Sequence, residues 1–344
     1  MAIISFIFSN LYLYTLHSTK QNKITSMSLK KFQGIITPLV TPLSRSGDCI
    51  DYEGTRKVLS HVIAGGVSGV FILGSTGEGP SLSLHLRREF VTLCCSVVRD
   101  ILLHSQRECS EFSILVGISD TCVQETISLA KHSADCGADA VVIAPPFYFP
   151  ITQSELLHYV EHVVNEISLP LFLYNMPKLT KIAFDVDTVR KIATNSNLNG
   201  RIVGIKDSSF DLEYMKKLCQ IKEEFCPYWT ILTGAEHHVA QVVRIGGDGG
   251  VVGGSNIFPK CFVSFYEGAA KGDRVMEEEA NQKITLLKEI YDKVNGRFVQ
   301  ATKTSLSVLG LCQATFSYPL LPFEDVEHDL VKKVVKNLKE SGVE

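Results

Sequence analysis

From Gly34 onward the chain alternates short apolar runs with longer stretches in which apolar residues recur every three or four positions, and no Pro/Ser-rich linker breaks the alternation. Eight runs stand out: GIITP (34–38), GVFIL (69–73), SILVG (113–117), AVVIA (140–144), PLFLYN (170–175), IVGIK (202–206), TILTG (230–234) and GVVGG (250–254). Each is apolar at successive positions, so as a strand it is buried on both faces, the condition of parallel strands covered by helices. Helical patterns occupy 52–64, 85–103, 121–136, 153–166, 185–194, 211–224 and 237–245, between the runs. The order predicts an α/β protein, a closed parallel (β/α)8 TIM barrel. The competing architecture, an open doubly wound sheet, needs a Gly-x-Gly-x-x-Gly turn after its first strand and an acid about twenty residues on; that turn is missing.

Further helical patterns at 263–271, 277–294, 299–309 and 325–341 follow the last run, and one helix is enough to close a barrel. Residues 27–272 are therefore assigned to the barrel and 273–344 to C-terminal helices packed on it. Residues 1–26 open with an apolar stretch too short to span a bilayer comfortably and without a basic n-region or a clear cleavage site. Met27 stands just before the regular pattern, so residues 1–26 are expected to form an extension outside the fold, a weak targeting segment being the rival reading.

The 34 Lys and Arg nearly balance the 37 Asp and Glu, which leaves no electrostatic case for a nucleic-acid or membrane partner. The ten cysteines are scattered, with no CxxC pair and no zinc-finger spacing; they are expected to be reduced and buried in a cytoplasmic protein.

In a barrel the C-terminal strand ends share one mouth. GSTGEG (74–79) follows the second run, Tyr148 in PPFYFP the fourth, Tyr174 in LYNMP ends the fifth and Lys206 in GIKDSS the sixth. Residues far apart in sequence are thus expected to line one pocket. An amine directed into an apolar barrel must be neutral or paired, because low dielectric disfavours its charge. Such an amine attacks carbonyls to give a Schiff base, whose protonated imine is an electron sink. A phenol can shuttle the proton, and Ser75 and Thr76 can hold a carboxylate. The plainer readings are a snorkelling lysine or one paired with Asp207, a core tyrosine and an ordinary turn; the four features together favour the chemistry.

Other stretches carry less. GGDGGVVGGSN (246–256) lacks the Gly-Lys-Ser/Thr ending of a phosphate loop and reads as the eighth strand with tight turns. MEEEANQK (276–283) reads as a solvated helix face. His237 and His238, adjacent on a helix, diverge too far to share a metal, so no metal is expected.

ITPLVTP near the start, GSTGEG, LYNMP and GIKDSS occur in that order over roughly residues 31–340. With these motifs the chain resembles the dihydrodipicolinate synthase and N-acetylneuraminate lyase family of lysine-dependent aldolases. The resemblance implies that Lys206 forms a Schiff base with pyruvate or another 2-oxo acid and that Tyr174 relays protons, with Tyr148 close to that relay and often near a subunit contact. It implies that Ser75 and Thr76 bind the 2-oxo acid carboxylate, with Ser208, Gly234 and Glu236 completing the substrate set. A homo-oligomer, dimer or tetramer, and no metal or organic cofactor are also implied.

The chain departs from the family pattern at the second substrate. The synthase branch has an arginine where this chain has Leu179, after Pro177 and Lys178, and a second tyrosine where it has Phe149. The sialic acid lyases share the leucine but read their sugar with Gly-x-Asp-Glu and a serine, where this chain has GAEH (234–237) and Gly253. The expectation is a lyase acting on a 2-oxo-3-deoxy sugar acid or a 4-hydroxy-2-oxo acid. The alternatives are a synthase condensing pyruvate with aspartate semialdehyde, and a silent barrel that binds a 2-oxo acid.

Overall fold

The structure, a computed structural model, describes residues 32–105, 108–340 and 342. Residues 1–26 lie outside that set. The described residues fall in one compact unit, Phe32–Glu344. Its strands β1 (Gly34–Pro38), β2 (Gly69–Ile72), β3 (Ser113–Gly117), β4 (Ala140–Ile143), β5 (Leu171–Asn175), β6 (Ile202–Asp207), β7 (Thr230–Thr233) and β8 (Gly249–Val251) pair in sequence order and close β8 onto β1. All eight pairings are parallel, and every strand residue is buried.

The alternation of strand side chains sorts the core into two parts. Ile36, Phe71, Leu115, Val142, Phe172, Tyr174, Val203, Leu232 and Val251 fill the lumen with Phe32 beneath them. Their neighbours, among them Ile35, Val70, Ile114, Val141, Leu173, Ile205 and Ile231, pack outward against the helices. Helix starts follow local chemistry: Asp51, Ser83, Asp211 and Asp273 accept from first-turn amides, and Thr152 with Glu155 forms a reciprocal capping box.

Local differences from the sequence reading are informative. The fifth strand leads into a short helix, Pro177–Thr180, because proline is suited to a first helical turn. The stretch expected as helix 237–245 begins instead as a 3-10 turn, Glu236–His238, before helix Val239–Arg244. Strand eight ends at Val251, and the glycines after it form the 3-10 turn Gly253–Asn256. Helices Pro259–Lys271, Arg274–Lys293, Phe298–Val308 and Asp325–Glu340 complete the described chain. No helix of the described residues is long and apolar enough to cross a membrane.

Cys49, Cys94, Cys95, Cys122, Cys136, Cys219, Cys226, Cys261 and Cys312 are free, and burial raises several thiols, Cys95 and Cys226 to about 12. Cys49 and Cys122 are exposed, which corrects the expectation that all are core residues.

Candidate active site

Register brings the lysine and the phenol together. Tyr174 of β5 pairs with Lys206 of β6, and neighbours in register project to the same side of a parallel sheet. That side is the lumen, where Lys206 Nζ stands 3.9 Å from the centre of the Tyr174 ring and 4.9 Å from that of Phe71.

Strict alternation would have aimed Lys206 the other way. Val203 faces the lumen and Ile205, two residues on, faces the helices. The parity break is a bulge: Leu171 pairs with Ile202 but Phe172 with Gly204, so one residue of β6 is unpaired. A bulge of this kind re-aims the side chains beyond it. Gly204 is what the bulge demands, since a Cβ there would lie 2.1 Å from the Thr230 carbonyl oxygen and 2.7 Å from the Phe172 ring.

Asp207, on the opposite face, is no partner for this amine. Its carboxylate accepts from Asn175 Nδ2 at 2.8 Å and from the Ser209 hydroxyl at 2.8 Å, and burial raises its pKa against those hydrogen bonds. None of the ion pairs among the described residues involves Lys206. The plainer reading of Lys206 as one half of a pair with Asp207 is set aside, and the physical reason is the alternation of adjacent residues in a strand.

The Ser75 hydroxyl is 3.5 Å from the Tyr174 hydroxyl. Burial acts to raise the Tyr174 phenol, but the charge of Lys206, with hydrogen bonds to Ser75, Lys206 and Ser208, outweighs it and holds the pKa below the ordinary value. Ser208, 4% exposed, fits against Gly234, whose Cβ would lie 2.0 Å from its hydroxyl.

These groups open into a cavity of about 300 Å³. Ser75, Thr76, Tyr174, Lys206, Ser208, Gly234 and Glu236 all line it. Its outer wall comes from residues that the sequence reading did not single out: Ile284, Lys288, Tyr291 and Asp292 of helix Arg274–Lys293, and Phe298. Burial pushes the Glu236 carboxyl up to about 7, against hydrogen bonds from the Gly253 and Gly254 amides, the latter at 2.6 Å. Burial and Lys288 lower His237, whose ring stacks edge-on to His238 at 4.2 Å. A Cβ at Gly253 would lie 3.5 Å from Glu236 Oε1, so the missing serine leaves room beside this acid.

A second cavity of about 250 Å³ shares Ser75, Tyr174 and Met176 with the first and extends past Phe71, Val142, Phe147 and Leu179. Tyr148 lines neither cavity. It is 86% exposed, packs edge-on against Phe149 at 5.0 Å, and has φ of 110°, which turns it away from the lumen. Within one chain it does not lie beside the Tyr174 hydroxyl. Leu179 is half exposed, and Lys178 Nζ lies 4.6 Å over the ring of Phe210, a residue of the main cavity.

The turn that carries Ser75 and Thr76 is secured from several directions. The Thr41 hydroxyl donates to the Gly77 carbonyl at 2.6 Å, and the Gly79 amide to that of Gly74 at 3.2 Å. Glu78, left-handed at φ 58°, buries its carboxylate against Lys303 Nζ at 2.5 Å. No local sequence signal marks Lys303 as belonging to this turn.

Comparison with known proteins agrees with this architecture. A probable 2-dehydro-3-deoxy-D-pentonate aldolase of Escherichia coli is 27% identical over 92% of this chain and 99% of its own. A dihydrodipicolinate synthase structure from Bacteroides thetaiotaomicron is 36% identical, covers 91% of this chain and all of its own, and superposes with a TM-score of 0.80. A prophage protein of the dihydrodipicolinic acid synthase family from E. coli, solved in complex with pyruvate, is 27% identical over 90% of this chain and 99% of its own, also with a TM-score of 0.80. The match to the family itself spans residues 31–338, and the chain belongs to the dihydrodipicolinate synthetase family.

Proposed function

We propose that this protein is a pyruvate-dependent class I aldolase that reversibly cleaves a 2-oxo-3-deoxy sugar acid or a 4-hydroxy-2-oxo acid. The observation that carries the reading is the pairing of Lys206 with Tyr174 at the bottom of a cavity lined by hydroxyl donors. In its neutral form Lys206 Nζ adds to the C2 carbonyl of the substrate and water leaves, giving the protonated imine. Tyr174 takes the C4 hydroxyl proton as the C3–C4 bond breaks, and the bonding electrons pass into the imine as an enamine. The aldehyde departs. Protonation of C3 and hydrolysis then release pyruvate and the free lysine.

Ser75 and Thr76, with Ser208, receive the 2-oxo acid carboxylate. Gly234 and Glu236 meet the aldehyde half. The family relationship, and the relative named as a 2-dehydro-3-deoxy-D-pentonate aldolase, support the substrate class. The exposed Tyr148–Phe149 pair supports an expected homo-oligomer, a dimer or tetramer, in which Tyr148 acts at a subunit contact.

The test is reductive trapping: incubation with pyruvate, reduction with sodium borohydride and peptide mass spectrometry. A pyruvyl adduct on Lys206 is expected; a folded protein without it removes the aldolase reading. The synthase reading is favoured by the 36% identity to the Bacteroides enzyme, with Lys178 in place of the missing arginine as a point charge without its planar fork. Consumption of aspartate semialdehyde with pyruvate, faster than cleavage of any 2-oxo-3-deoxy acid, would put it first.

A further inference from the structure

The Glu78–Lys303 pair joins parts of the chain 225 residues apart and is almost sealed from solvent, the side chains being 1% and 0% exposed. Its hydrogen bonding is complete on the acid side. Glu78 Oε1 accepts from Lys303 Nζ at 2.5 Å, and Oε2 accepts from the Ser317 amide at 2.7 Å and the Ser317 hydroxyl at 2.9 Å. Lys303 also donates to the Thr315 carbonyl at 2.6 Å, and its ammonium lies 5.2 Å from the Phe316 ring centre.

Such a pair is poor ground for a stability argument, because the loss of hydration offsets most of the attraction and apolar residues often serve as well. Its place in the fold is more telling. Glu78 closes the turn that begins at Ser75, its amide donating to the Ser75 carbonyl at 3.1 Å, and it holds a left-handed conformation that a residue with a Cβ adopts only when its surroundings impose it. Lys303 belongs to helix Phe298–Val308, whose first residue lines the main cavity. A buried network whose acid is fully hydrogen-bonded is rigid, and here it holds the backbone that presents the Ser75 and Thr76 donors.

We propose that Glu78, Lys303 and Ser317 are positioning residues through which the C-terminal segment sets the shape of the carboxylate-receiving turn. The inference rests on the reading of Ser75 and Thr76 given above. The C-terminal helices are then part of the binding site's framework, and their loss of register is felt first as weaker recognition of the 2-oxo acid carboxylate.

The test compares borohydride trapping on Lys206 by pyruvate and by acetone, a ketone that lacks the carboxylate, in the full chain. In the double variant Glu78→Gln/Lys303→Met the half-saturating pyruvate concentration is expected to rise at least tenfold and that of acetone to change less than twofold. Ser317→Ala, which leaves the ion pair in place, is expected to raise the pyruvate value two- to fivefold, and it decides the matter if the double variant does not fold. Folded variants in which pyruvate and acetone shift together, or in which neither shifts, show a purely structural pair and overturn the proposal. Absence of trapping in the unsubstituted protein is a separate result that removes the aldolase reading and this inference with it.

Discussion

Replacement of Tyr174 by phenylalanine separates Schiff-base formation from proton relay. Tyr174 is 7% exposed, meets Phe71 edge-on at 6.0 Å and carries Lys206 Nζ 3.9 Å from its ring centre. Phenylalanine keeps the ring, its packing and its cation contact. The substitution removes the hydroxyl, whose contact with Ser75 at 3.5 Å is long for a hydrogen bond between oxygens. Stability should therefore change by no more than about 1 kcal/mol. A positioned acid or base contributes roughly 10²–10⁴ in rate, or about 3–5 kcal/mol of barrier at 1.36 kcal/mol per tenfold. Release of pyruvate from 2-oxo-3-deoxy acids, followed by coupled reduction to lactate, should fall by that factor in Tyr174→Phe. Borohydride trapping of pyruvate on Lys206 should persist at saturation. Because the phenol must give up its proton before it can take the C4 hydroxyl proton, and is held below its ordinary pKa, the wild-type cleavage rate should rise with pH as the phenol titrates below pH 10, and this rise should be absent from the variant. A Tyr174→Phe enzyme that keeps kcat within tenfold of wild type, with the same rise of rate with pH, would refute the relay.

Gly204→Ala puts a Cβ 2.1 Å from the Thr230 carbonyl oxygen, an overpacking that costs about 1–3 kcal/mol. At roughly 2 °C per kcal/mol it should lower Tm by a few degrees, and it should slow trapping at Lys206 at least tenfold; an unchanged trapping rate would contradict the role given to the bulge. Glu236, raised to about 7, is protonated in the folded protein over a range where the unfolded chain has already lost that proton. Its contribution to stability is full below the unfolded value, near pH 4.3, and fades as pH rises through about 7. Glu236→Gln should abolish that decline in a series of thermal melts and flatten the dependence of KM on pH between about 6 and 8; parallel wild-type and variant profiles would exclude it. Timed alkylation of the native protein should label Cys49 and Cys122 well before the buried Cys94, whose thiol burial raises far above its ordinary value, and mass spectrometry of the peptides reads the order.

Periodicity alone located all eight strands, seven of them to within one residue at each end and the eighth overrunning by three residues into its glycine turn, because a strand buried on both faces must be apolar throughout while its covering helix is apolar on one stripe. Barrel topology follows from that order. It in turn places Ser75, Thr76, Tyr174, Lys206, Ser208, Gly234 and Glu236 at one mouth, since parallel strands all end on the same side.

Side-chain direction and long-range partners needed the folded chain. IVGIK by itself does not say that β6 bulges at Val203–Gly204, and without the bulge Lys206 would face the helices and Asp207 the cavity. Tyr148 stands beside an apolar run in the sequence, yet its backbone turns it outward. The cavity's outer wall comes from helix Arg274–Lys293, and the buried contacts to Glu78 in the turn after the second strand from Lys303 and Ser317. The sequence by itself determined the elements and the end of the barrel at which they converge, because propensity and period act over a few neighbouring residues. The tertiary structure decided which atoms meet there, because strand register, a one-residue bulge and contacts between residues hundreds of positions apart are settled only when the sheet closes and its covering helices pack.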